Sequence, residues 1–95
     1  MMDYTGDIDE RSQYLEKPAK QTVLCVLNER WRVVHDGRSR PYSSWELQYR
    51  AAPGKWHSKS FCQHNWSLMA AIMRKAGDCD PAALAVVTAL PERAY

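Results

Sequence analysis

The sequence has no long hydrophobic run. Its longest nearly apolar stretch, Ala82 to Leu90, falls far short of the roughly 20 residues that cross a bilayer. No membrane role is expected. The first residues, Met1 to Asp7, lack an apolar core segment, so no secretory signal is expected either. Cysteine is scarce and unpaired in spacing: Cys25, Cys62 and Cys79 are an odd set with no Cys-x-x-Cys motif. A disulfide-stapled secreted domain ordinarily carries an even set, so these read as reduced thiols of a cytoplasmic protein. There is no Gly-x-Ser-x-Gly, no glycine-rich phosphate loop and no His-Glu-x-x-His. Internal repeats and low-complexity tracts are absent too. An enzyme and a cofactor are therefore not expected.

What is present fits one small globular domain. The chain has 95 residues, 45% apolar and 25% charged, with a formal charge of +2. A domain this small buries only about 60% of its unfolded surface. Four tryptophans, five tyrosines and one phenylalanine compensate, and they raise the question of whether all fit inside. Charge is uneven. Asp3, Asp7, Asp9, Glu10 and Glu16 stand against Arg11 alone, so residues 1–16 carry −4 and the remainder +6. With no apolar period and with Pro18 in the segment, residues 1–21 read as a flexible acidic arm, and residues 22–95 as the domain.

The domain changes period part-way. Val23 to Leu27 is a short apolar run of strand length, and Trp31 to His35 follows before the turn signal Asp36-Gly37. Residues 38–44 are polar and contain Pro41, which predicts a loop. Trp45, Leu47 and Tyr49 alternate with Glu46, Gln48 and Arg50, which predicts a strand with one dry and one wet face. Pro53-Gly54 marks a turn, and Trp56 to Cys62 is the returning strand. Then Leu68, Ile72 and Met69, Met73 recur at helical spacing behind Asn65 as a cap, with Gly77 past the end. Asp80-Pro81 opens a second helix that runs to Leu90 and must be largely buried or sit in an interface. The expected fold is α+β: a small antiparallel sheet of three to four strands, then two helices packed on one face.

These elements bear on several chemistries. A helix-turn-helix reader of DNA needs long polar side chains on its second helix, and Pro81 to Leu90 has none. Cys62-Gln63-His64 is too tight for usual zinc spacing, and His57, Cys25, His35 and Cys79 would have to arrive from scattered elements, so no metal is expected. His35, His57 and His64 could supply acid and base for RNA cleavage only if the fold gathers them. Residues 30–59 interleave Arg30, Arg32, Arg38, Arg40, Arg50, Lys55 and Lys59 with Trp31, Tyr42, Trp45, Tyr49 and Trp56. Such a strip suits single-stranded nucleic acid, because cations meet phosphates and rings stack on bases. It equally suits a protein partner, since Arg, Trp and Tyr dominate interface hot spots.

Trp45 to Arg50, Trp56, Phe61-Cys62, Leu68, Ile72, Asp80-Pro81 and Leu90-Pro91 together resemble small proteins encoded by phages and prophages of proteobacteria, over residues 31–91. That resemblance implies a mobile-element origin and no assigned site. Small phage proteins of this size often bind and disable a host component, CRISPR effector complexes included. The expectation is a non-enzymatic, cytoplasmic binding protein that covers the working surface of a host protein or ribonucleoprotein complex. Its contacts would be Arg32, Arg38, Arg40, Tyr42, Arg50, Trp56 and Lys59. The alternative is a single-stranded DNA- or RNA-binding module using the same strip, with the acidic arm as an electrostatic competitor. A homodimer through residues 81–90 is a further expectation.

Overall fold

The computed structural model describes residues 20–37 and 42–95. Among the described residues, four strands, β1 (Lys20–Val26), β2 (Trp31–Gly37), β3 (Ser44–Ala52) and β4 (Lys55–Cys62), precede two helices, α1 (Asn65–Lys75) and α2 (Pro81–Thr88). The sheet order is β1-β2-β3-β4 and every pairing is antiparallel. This is the expected α+β arrangement, with the sheet at the upper strand count. β1 begins at Lys20, two residues inside the segment read as the acidic arm, because Lys20 and Gln21 pair with Gly37 and Asp36. The rest of that segment lies outside the described residues.

Alternation in β3 sets the inner face. Trp45 and Leu47 are 2% and 0% exposed, and the register brings Val33 against Leu47 and Cys62 against Trp45. Tyr49 is only half-buried and tilts against Trp31, with ring centroids 5.0 Å apart. α1 lays Leu68, Ala71 and Ile72 on this face, and α2 adds Ala83 and Val87. β1 contributes through an irregularity. Val23 pairs with Val34 and Cys25 with Val33, so Leu24 is a bulge residue that exchanges the faces of the strand.

The turns follow their residue chemistry. Gly54 between β3 and β4 sits at φ 76° and Gly77 after α1 at φ 72°, both in the left-handed region that glycine enters without a Cβ clash. Asp80 caps α2 by accepting from the Ala82 amide, with Pro81 at the first helical position. Asn65 does something other than cap. The N-cap of α1 is His64, which makes no side-chain cap bond. Asn65 lies inside the helix, and its Nδ2 donates to the carbonyls of Val87 (2.9 Å) and Leu90 (3.2 Å). It thereby gives the Val87 carbonyl, which already accepts from the Leu90 amide, a second donor, and it binds the Leu90 carbonyl just past the helix.

A second asparagine braces the opposite end. Asn28 Oδ1 accepts the amides of Arg30 and Trp31 at 2.9 and 3.1 Å, closing the β1–β2 turn. Its Nδ2 donates to Ala76 O and Asp78 O at 2.9 and 2.7 Å, tying that turn to the loop between the helices. The Asp80 amide donates to Leu27 O alongside at 2.8 Å. At the C-terminus, His64 bridges to Arg93, the Ala94 amide donates to Gln63 O, and His35 Nε2 lies 3.3 Å from Ala94 O.

Candidate binding surface

The outer face of the sheet, turned away from the helices, holds Arg32, Val34 and Asp36 on β2, Glu46, Gln48 and Arg50 on β3, and Trp56, Ser58 and Phe61 on β4. Sequence alternation predicts a wet face here, and its centre departs from that. Val34, Asp36, Glu46 and Gln48 are all buried. The register sets Val23 across from Val34, Phe61 across from Glu46 and Ser58 across from Gln48 on this face.

The polar centre is wired together. Ser58 Oγ donates to Glu46 Oε1 at 2.5 Å, and Gln48 Nε2 donates to Glu46 Oε1 (3.1 Å) and to Ser58 Oγ (3.2 Å). Arg32 Nε donates to Gln48 Oε1 at 2.8 Å. Burial pushes the Glu46 carboxyl above the usual carboxylate range. The hydrogen bond from Ser58 opposes this, the Asp36 carboxyl beside it pushes the same way, and Gln48 opposes again. Burial also draws Arg32 below the usual guanidinium range, although arginine keeps its charge at any physiological pH.

At the rim next to β4, the Arg32 guanidinium lies 4.1 Å from the Trp56 ring centroid. Arg50 is the register partner of Trp56. These three expected contacts therefore meet, and the fold holds them. Arg32 is fixed by Gln48 below and by the indole beside it, in cation–π geometry. Lys59 is exposed where the β3–β4 register shifts, between the pairs Leu47–Ser60 and Gln48–Ser58. Tyr42 is 67% exposed, just before β3. Arg38 and Arg40 lie outside the described residues. Reading the residues one at a time missed Phe61, which is 67% exposed opposite Glu46. The signal was its placement at odd parity to Cys62, which is buried on the other face.

His35, His57 and His64 come from β2, β4 and the residue before α1. His57 pairs with Tyr49 and His35 with Trp45, four positions and two strands apart, or roughly 16 Å at standard strand spacings. That is too far for an acid–base pair. No three His, Cys, Asp or Glu side chains among the described residues converge as a metal site. Burial first, and Cys79 next, push the Cys25 thiol up; burial and then Asp78 push up that of Cys79. A thiol raised in this way is a poorer nucleophile than a free cysteine. A hollow of about 350 Å³ beside the β1–β2 turn is lined by Asn28, Arg30, Trp31 and Asp78 and is wide open. No described helix is long and apolar enough to cross a membrane. Comparison with protein-family models, with curated proteins and with solved structures finds no match.

Proposed function

We propose that this chain is a non-enzymatic binding protein whose outer sheet rim grips a protein partner and covers that partner's working surface. The observation that carries this reading is the fixed Arg32–Trp56 pair, with exposed Phe61 farther along β4 on the same face, beyond Ser58. A cation already stacked on an indole and hydrogen-bonded from beneath loses little side-chain freedom on binding. Arginine, tryptophan and a solvent-facing ring are also the groups that dominate protein hot spots. Arg50, the register partner of Trp56, and Lys59 on β4 line the same side; exposed Tyr42 stands at the far end of β3 from them and is a separate contact. In its narrower form the partner is a host protein or ribonucleoprotein complex in a bacterial cytoplasm, as the resemblance to small phage proteins implies.

The same rim supports a second reading, single-stranded DNA or RNA binding, because Arg32, Arg50 and Lys59 stand beside a stackable indole. Two carboxyls, Asp36 and Glu46, at the centre of the face weigh against a phosphate backbone running across it. The test is affinity capture from bacterial lysate with the wild-type chain and with Arg32→Ala/Trp56→Ala. A specific protein band retained by the first and lost by the second supports the protein reading. Capture of no specific protein, together with oligonucleotide affinity that falls steeply and log-linearly with salt, supports the nucleic-acid reading instead.

A further inference from the structure

The helix pair is apolar on the side away from the sheet as well as on the side against it. On α1, Leu68, Ala71 and Ile72 are buried, while Trp66 and Met73, on the opposite side of the helix turn, are 69% and 74% exposed. Sequence periodicity places Met73 with Met69 on the core stripe; the fold leaves Met69 half-buried and turns Met73 out. On α2 only Ala83 and Val87 are buried, and Ala82, Ala85, Val86 and Ala89 face solvent around it. From Pro81 to Leu90 there is no charged side chain. A two-helix surface this apolar, with its charges gathered at one end, is a mark of an interaction site.

Its relief is uneven in a self-complementary way. α1 carries the bulky side chains and α2 the small ones. The helices run antiparallel: the Asn65 amide donates to Glu92 O and Asn65 Nδ2 to Val87 O and Leu90 O, so the start of α1 lies beside the end of α2. We propose that two copies of the chain pack helix pair to helix pair, about a two-fold axis parallel to the helices and midway between them. This operation sets α1 of each copy over α2 of the other. Trp66 then covers Ala85 and Ala89 of the second copy, and Met73 covers its Ala82.

Charge complementarity singles out a second copy as the occupant. Arg74 ends α1, and Asp78 lies in the loop leading into α2, at the same end of the pair. Both are exposed. The two-fold brings each Arg74 over the Asp78 of the other copy, twice per dimer, as an isologous interface requires. The outward side chains present on the order of 600 Å² per copy, by the areas such groups expose. That is at the low end for specific association, where about 800 Å² per partner is standard, so the dimer is reversible. The surface lies on the opposite side of the molecule from the Arg32–Trp56 rim and leaves that rim open.

Sedimentation of the full chain over a wide concentration range tests this. The expected result is a monomer–dimer equilibrium with a dissociation constant on the order of 10 µM. Ala85→Arg, at an exposed position, should weaken it at least tenfold with an unchanged circular-dichroism spectrum. Arg74→Asp should also weaken it, and Arg74→Asp/Asp78→Arg should restore it. Glu29→Gln, exposed on the β1–β2 turn, should leave it unchanged. A monomer at every concentration, open-ended oligomers, a dimer indifferent to Ala85→Arg, or no rescue by the charge swap would each overturn the proposal. None of these outcomes touches capture by the sheet rim.

Discussion

Asn28 is the most economical place to test how this fold is held. Its side chain makes four hydrogen bonds, two within the β1–β2 turn and two to the loop between the helices. Two of them, with the Arg30 amide and Asp78 O, are exposed, and water replaces them at small cost. The other two, with the Trp31 amide (3.1 Å) and Ala76 O (2.9 Å), are partly buried. At about 1 kcal/mol each, Asn28→Ala should destabilise the domain by about 2 kcal/mol. With an m-value of about 1–1.5 kcal/mol/M, the urea midpoint drops by roughly 1–2 M. Asn28→Asp separates the two halves of the role. It keeps the acceptor for the turn amides but sets a carboxylate oxygen against two carbonyls, so it should lose at least as much as the alanine variant. If Asn28→Ala stays within about 0.5 kcal/mol of wild type, or Asn28→Asp is fully stable, the side chain is not the brace described.

Two further outcomes follow from groups in the sheet and turns. The Glu46 carboxyl is raised by burial and by Asp36 beside it, so its contribution to stability is fully present below the ordinary glutamate range and is lost as pH rises through the raised native value. Glu46→Gln keeps an oxygen for Ser58 and Gln48 and removes the charge. It should flatten the pH dependence of thermal unfolding between acid and neutral pH and leave the protein at least as stable at neutral pH; an unchanged pH profile would contradict this. Gly77→Ala should cost about 1 kcal/mol by chemical denaturation, because a Cβ at φ 72° is strained although no neighbour lies within reach of it. A stability equal to wild type would mean the turn relaxes to another conformation.

Local sequence determined the elements. Strict alternation from Trp45 to Arg50 can place only one set of side chains on a core face, and Pro53-Gly54 can only reverse the chain, so the β3–β4 hairpin was legible residue by residue. Asp80-Pro81 and Gly77 likewise set a helix start and a helix end through backbone chemistry that depends on no distant contact. Binary alternation could not decide what each face of the sheet meets. Glu46 and Gln48 are polar by sequence and buried by placement, each between neighbours from other strands: Val34 and Phe61 beside Glu46, Arg32 and Ser58 beside Gln48. The same holds for Asn65, a cap by local rules. It becomes a tie between helices once the end of α2 brings the Val87 and Leu90 carbonyls to its amide. Whether Met73 and Trp66 face the core or solvent depends on where a short helix lies across a twisted sheet, and that is set by packing over long sequence distances. Sequence alone determined period, turn and cap, which are near-neighbour effects; the tertiary structure decided exposure and partnership, which depend on residues far along the chain.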